Sequence, residues 1–172
     1  METRSEGDAP ARNETTMEVR ADREIVISRT FNAPPRIVFD AWTRPELVKR
    51  WWAPSSHCVV VVGCDADVRV GGKYRYVLRK EDGGDDIAFS GLYREVTPHS
   101  RLVYSQVFEP MADAGEALIT VTFEDLGTKT RLVSQELYPS QDVRDGVLAS
   151  GMEHGMRETM DQLDVLVAGL GT

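Results

Sequence analysis

Hydrophobic and polar residues alternate along much of the chain with the period of two that is typical of β-strands. The first such segment, Glu24–Asn32, places Ile25, Ile27 and Phe31 on one face. Six alternating or valine-rich segments follow: His57–Asp65, Lys73–Arg79, Ile87–Val96, Arg101–Phe108, Ala117–Asp125 and Lys129–Glu136. The short turns between them predict antiparallel neighbours, because a parallel crossover needs a dozen residues or more.

Three other segments predict helices. Pro35–Trp42 and Pro45–Trp52 are short, and each begins at a proline, which the first turn of a helix tolerates. Asp142–Ala168 is long, and Gly151 and Gly155 within it predict a close approach to a neighbouring element. Its apolar stripe consists of Leu148, Met152, Met156, Met160, Leu163 and Leu166 or Val167. Since only this helix is long enough to cover a sheet, we predict a two-layer α+β domain with seven antiparallel strands.

The first 23 residues have a different composition. They mix acidic and basic side chains with almost no large apolar residue and no aromatic one. Such a segment cannot offset its ordering entropy by burying apolar surface. We therefore predict a disordered acidic tail over residues 1–23 and a single domain over residues 24–170.

The charge balance excludes some partners. The 172 residues include 20 Lys and Arg against 28 Asp and Glu, which gives a net charge of −8. A net negative chain is poorly suited to bind nucleic acid or an anionic membrane, because both carry negative charge. No apolar run resembles a signal peptide or a membrane span, so we expect a cytoplasmic protein.

The residues that most often bind metals are sparse. The three histidines are His57, His99 and His154, and the sequence places no two of them together. Cys58 and Cys64 lack the spacing of a structural zinc site. We therefore predict neither a metal site nor a cofactor.

Catalytic motifs are also missing. The chain lacks a nucleophile elbow, a phosphate-binding loop and a dinucleotide fingerprint. Glu95 and Glu136 follow apolar residues within predicted strands, and an inward-facing carboxyl group would have a raised pKa. This alone identifies no catalytic residue, and we expect a binding protein more than an enzyme.

Aromatic and methionine side chains offer the clearest candidate for a binding site. They fall on the early helices, on alternating strand positions and on the stripe of the last helix, where they could fill the core or line a pocket. The residues predicted to line a ligand cavity are Trp52, Tyr74, Tyr76, Tyr93, Tyr104, Met152, Met156 and Met160.

Several motifs, taken in order along the chain, resemble the START-like (SRPBCC, helix-grip) superfamily, and more narrowly its group named after the activator of heat-shock protein 90 ATPase. The resemblance covers about Glu24–Leu170 and departs from the group at Met156, where an aromatic residue is usual. The motifs that carry it are Phe31–Glu46 followed by Trp51 and Trp52, then Asp67–Gly72, Gly91–Val96, Leu102–Tyr104, Gly151-x-x-x-Gly155, and Leu163-Asp164-x-Leu166.

The resemblance implies a curved sheet around the last helix, with an elongated cavity between them. Its members bind apolar small molecules, cyclise polyketides, neutralise a drug or stimulate a chaperone ATPase. We predict that this chain binds a hydrophobic or aromatic small molecule. The alternatives are a co-chaperone-like stress-response protein with a chaperone partner, and an enzyme of cyclase or dehydratase type. The resemblance also implies a homodimer.

Overall fold

One antiparallel sheet of eight strands organises residues 13–171, the part of the chain that the computed structural model describes. The strands are β1 Thr16–Arg20, β2 Glu24–Phe31, β3 Val59–Ala66, β4 Lys73–Lys80, β5 Ile87–Thr97, β6 Arg101–Phe108, β7 Ala117–Asp125 and β8 Thr130–Leu137. Their spatial order in the sheet is β1-β2-β8-β7-β6-β5-β4-β3. Most neighbours in the sheet are neighbours in the chain, as short turns require. The exception is the pairing of β2 with β8, which joins the two halves of the sheet.

The helices follow β2 and close the chain. They are α1 Pro35–Thr43, α2 Pro45–Val48, α3 Gln141–Ala149 and α4 Met152–Leu170, with a 3₁₀ turn at Ser55–His57 and a kinked 3₁₀ segment at Glu109–Ala114. The Ser140 hydroxyl caps α3 by accepting a hydrogen bond from the backbone N–H of Val143 at 3.2 Å. Among residues 13–171, no helix has both the length and the apolar character needed to cross a membrane.

The core lies between the sheet and the helices α1 and α4. Met160, Leu163, Leu166 and Val167 of α4 are buried in one cluster with side chains from α1 and from the inward faces of the strands. Burial of such side chains stabilises the domain by about 1.5–3 kcal/mol each. The predicted α+β architecture, with two short helices after Glu24–Phe31 and a C-terminal helix against an antiparallel sheet, is confirmed.

The sheet has one strand more than predicted. The additional strand, β1, lies in the segment that composition assigned to a disordered tail. Its backbone pairs with β2, and the preceding Thr15 is buried, with its hydroxyl accepting a hydrogen bond from Arg29 at 3.1 Å. Backbone pairing therefore orders a segment that offers little apolar surface. The prediction for residues 1–12 lies outside the described residues.

The C-terminal helical segment is two helices, not the single helix Asp142–Ala168. The break falls at Ser150 and Gly151, where the glycine adopts a left-handed φ of +82° that helices do not contain. The predicted close approach is found at Gly155, where an added Cβ would lie 3.2 Å from Cε1 of His57. At Gly151 nothing lies within 4 Å of an added Cβ, so that glycine serves the turn instead.

The second predicted helix, Pro45–Trp52, is shorter than expected. It ends at Val48, and the next residues continue as tight turns. Pro54 disfavours helical backbone at Ala53, so the helical turns cannot continue beyond this point. The two tryptophans, Trp51 and Trp52, lie in the turns between α2 and Pro54.

Candidate functional site

A cavity of about 540 Å³ lies between the sheet, the tryptophan-bearing turns and α4. Strands on both sides of β6 contribute to its walls, because their inward faces are continuous across the sheet. Exposed residues such as Lys80, Phe108 and Ser150 form its rim. Among the side chains that line the cavity are Ile27, Trp42, Trp51, Trp52, Leu78, Ile87, Phe89, Tyr104, Gln106, Ile119, Ser134, Glu136, Met152, Met156 and Met160.

Aromatic side chains form one wall of this cavity. Trp52 meets Tyr76 and Phe89 edge to face, with ring centroids 5.0 and 4.9 Å apart. Trp51 packs against Trp42 at 4.9 Å and donates its indole N–H to the carbonyl of Ala41 at 2.8 Å. This hydrogen bond to α1 fixes the turn that carries both Trp51 and Trp52, so the wall is held by the backbone of a neighbouring helix.

The helix α4 forms the opposite wall. Met152, Met156 and Met160 follow one another at intervals of four residues and therefore lie on one side of the helix. Their burial increases along the helix, from the partly exposed Met152 to the buried Met160. Flexible thioether side chains can adapt to ligands of different shape.

The eight residues predicted to line a ligand cavity fall into two groups. Trp52, Tyr104, Met152, Met156 and Met160 line the 540 Å³ cavity. Tyr74, Tyr76 and Tyr93 lie beside it, around a gap of only about 10 Å³ to which Trp52 and Tyr104 also contribute. The ring of Tyr74 packs on those of Tyr76, Tyr93 and Tyr104 at centroid distances of 5.1 to 5.5 Å. Tyr93 also contacts Tyr104 at 5.9 Å, and Tyr76 contacts Trp52 at 5.0 Å. Ligand contact by any of the eight stays a prediction.

Glu136 is the charged group of the cavity interior. Burial raises the pKa of its carboxyl group, and the hydroxyl of Tyr138, which donates to it at 2.7 Å, partly opposes that rise. Glu95, the other carboxylate considered from the sequence, lies on the surface and accepts a hydrogen bond from Arg101. Only one of the two candidate carboxylates therefore faces the cavity.

A second polar group, the Tyr104 hydroxyl, lies on the same inward face. It accepts a hydrogen bond from the indole N–H of Trp42 at 3.4 Å. Burial raises the pKa of Tyr104, and the nearby carboxyl group of Glu136 raises it further. The cavity interior thus combines an apolar lining with a few grouped hydrogen-bonding atoms.

Sequence reasoning did not single out several lining residues, among them Phe89, Gln106 and Ser134. The signal that could have found them is strand register. Glu136 pairs with Ile119, and Ile119 with Tyr104, so the three side chains share one face. Alternation predicts the inward positions within each strand, but pairing decides which of them meet.

The cavity mouth also carries three neighbouring side chains of the types that can bind metals. One ligand atom each of His57, His154 and Glu158 lies within 4.8 Å of the others. Sequence reasoning separated the two histidines, because one precedes β3 and the other lies on α4. The cysteines take no part in the cluster: Cys58 is exposed, and Cys64 is buried with the pKa of its thiol raised to about 11 by burial.

Solved structures from several bacteria are similar to this chain. A protein from Rhodobacter sphaeroides shares 26% identity, with a TM-score of 0.83, and the match covers 91% of this chain and 99% of that one. A protein from Mycobacterium smegmatis shares 24% identity at a TM-score of 0.77, covering 88% and 96% of the two chains. An AHSA1-like protein from Aeromonas hydrophila shares 22% identity at a TM-score of 0.66, covering 85% and 94%. The last two show similarity of fold alone.

No curated protein sequence matches the chain. Residues 32–168, however, match the family described as Activator of Hsp90 ATPase homolog 1-like protein. That match spans α1 to α3, nearly all of α4, and the strands β3 to β8. The chain therefore belongs to the Activator of Hsp90 ATPase homolog 1-like family, within the START-like superfamily.

Proposed function

We propose that this protein binds a hydrophobic or aromatic small molecule in the cavity between its sheet and α4. The observation that carries the proposal is the size of the cavity together with its lining. A volume of about 540 Å³ falls within the range of about 300–1,000 Å³ that is usual for ligand sites. The lining is predominantly aliphatic, aromatic and thioether in character.

The cavity opens to solvent at its mouth, so water fills it when no ligand does. Because apolar walls offer water few hydrogen bonds, an apolar ligand that displaces it gains free energy.

The polar groups restrict which ligands fit. Glu136 and Tyr104 lie close together on one wall, whereas Trp52, Phe89 and Met156 surround them with apolar surface. This arrangement favours a neutral or cationic molecule with one hydrogen-bonding group over an anion, which the Glu136 carboxylate would repel. The co-chaperone and the cyclase or dehydratase functions stay predictions from the family resemblance.

Binding of the neutral fluorophore N-phenyl-1-naphthylamine tests the proposal. We expect saturable fluorescence enhancement with one site per chain. Met156→Trp should reduce the affinity at least about tenfold, because the larger side chain occupies part of the cavity. Met111→Trp is the matched control, since Met111 is 62% exposed and lies outside the cavity. Equal affinities of the two variants, or no saturable binding by the unmodified protein, would contradict the proposal.

A further inference from the structure

Two imidazoles and one carboxylate meet at the mouth of the cavity. His154 and Glu158 lie four residues apart on α4, so they project from the same side of that helix. His57 reaches them from the 3₁₀ turn before β3, and its ring stacks on that of His154 with centroids 5.8 Å apart. Ligand atoms of the three side chains lie within 4.8 Å of one another.

We propose that His57, His154 and Glu158 bind a divalent transition-metal ion such as Zn²⁺. Two neutral imidazoles and a carboxylate are a ligand set that zinc and other first-row metals accept. A tetrahedral ion with bonds of about 2.1 Å holds its ligand atoms about 3.4 Å apart. Both histidines are exposed and can rotate towards an ion to close the remaining separation. A position is left for water.

The carboxylate of this site is already held in place. One oxygen of Glu158 accepts hydrogen bonds from the backbone N–H of Ser56 at 2.7 Å and from the Ser55 hydroxyl at 3.1 Å. The other accepts a hydrogen bond from the Ser56 hydroxyl. A carboxylate oxygen has more than one lone pair, so these bonds leave capacity for a metal. Hydrogen-bonding partners of this kind orient metal ligands and tune their affinity.

The turn that carries His57 is fixed against α4 as well. The side chain of Gln162 donates to the carbonyls of Trp51 and Ala53 at 3.0 and 2.9 Å and accepts from the N–H of Ser55 at 3.0 Å. Gly155 leaves the space that the His57 ring occupies, since a Cβ there would lie 3.2 Å from Cε1. The imidazole therefore approaches the helix through a gap that a larger residue would close.

The proposed metal site lies next to the cavity, but metal binding does not need a ligand inside the cavity. His57 and Gly155 both belong to the cavity lining, so an ion bound by the cluster would lie beside the mouth. Metal binding here does not require the proposed small-molecule function, because the three ligands and their supporting hydrogen bonds lie on α4 and the adjoining turn.

Zinc titration of the tag-free protein by isothermal calorimetry tests the proposal. We expect one Zn²⁺ per chain, and Co²⁺ at the same stoichiometry should give the visible absorption of a protein-bound ion. His154→Ala and His57→Ala should each weaken Zn²⁺ binding at least about tenfold. His99→Ala is the matched control, because His99 lies in a distant turn against Phe39 and should leave the affinity unchanged.

Two further variants test the roles of the nearby thiol and of the carboxylate charge. Cys58 is exposed and adjacent to His57, so its thiol is an alternative ligand that must be tested. Cys58→Ser should retain full Zn²⁺ affinity, because the proposed site does not include the thiol. Glu158→Gln keeps an acceptor for the serines but removes the charge, and it should weaken binding while circular dichroism shows the fold intact. Absence of Zn²⁺ binding, undiminished binding by His154→Ala, or loss of binding in Cys58→Ser would overturn the proposal.

Discussion

Arg29 of β2 joins the sheet to the last helix through Asp164, with its guanidinium 3.1 Å from the carboxylate. The arginine side chain is 4% exposed and that of Asp164 is 24% exposed. Asp161, one turn earlier on α4, contacts the same guanidinium but is 72% exposed. A buried arginine with two acidic partners from one helix thus fixes α4 over β2, next to the core.

The two acidic partners should contribute unequally to stability. Asp164→Ala should lower the free energy of unfolding by about 1.5–3 kcal/mol, because it removes a shielded, charged hydrogen bond to a buried group. Asp161→Ala should lower it by less than about 1 kcal/mol, because solvent screens an exposed ion pair. Urea denaturation measures both effects. Equal losses would contradict the unequal shielding of the two carboxylates.

Stability should depend on pH through Glu136. Burial raises the pKa of this carboxyl group in the folded protein. The folded state therefore binds the proton more tightly than the unfolded state, and the associated stability is lost as the pH rises through the folded pKa. Glu136→Gln removes this dependence and can still accept the hydrogen bond of Tyr138. The stability of the variant relative to the unmodified protein should therefore rise between acidic pH and pH 8.

Urea denaturation across that pH range provides the measurement. Glu95→Gln is the matched control, because Glu95 is exposed and pairs with Arg101 on the surface. Its stability relative to the unmodified protein should change by no more than about 0.5 kcal/mol over the range. If the stability difference between Glu136→Gln and the unmodified protein did not change with pH, the pKa of Glu136 would be the same in the folded and unfolded states, and the prediction would be wrong.

Two glycines of the C-terminal helices should respond to alanine in opposite directions. Gly151→Ala forces a β-carbon into the left-handed φ of +82° and should destabilise the protein by about 1–2 kcal/mol. Gly146 lies inside α3 with nothing within 4 Å of an added Cβ. Gly146→Ala should therefore stabilise the protein by up to about 1 kcal/mol through helix propensity. Thermal melting compares the stabilities of the two variants. Destabilisation by Gly146→Ala would contradict the open space around Gly146.

The two thiols should differ in reactivity. Cys58 is exposed, whereas Cys64 is buried and has its thiol pKa raised to about 11. At pH 8 only about one thousandth of such a thiol is the reactive thiolate, and the fold restricts access to it. Titration with Ellman's reagent should find one rapidly reacting thiol in the native protein and two in denaturant. Cys58→Ser should abolish the rapid reaction, and a persistent rapid reaction would place Cys64 in solvent.

Several elements could be predicted because their signals are local. Alternation predicted Arg101–Phe108 and Ala117–Asp125 with their observed bounds. The apolar stripe of the last helix predicted its packing on the core, since helical spacing brings Met160 and Leu163 to one side. The strand β1 escaped prediction because an edge strand can be held by backbone hydrogen bonds alone.

What the sequence by itself determined is most of the elements, the antiparallel pairing of strands that are neighbours in the chain, and the family, because periodicity and short motifs are properties of neighbouring residues. Tertiary structure decided that Glu136 and Tyr104 face the cavity, that Tyr74 packs beside the cavity and not in its lining, and that His57 meets His154. These juxtapositions depend on strand register and on the docking of α4. Both are set by contacts between residues far apart in the chain, which no local pattern records.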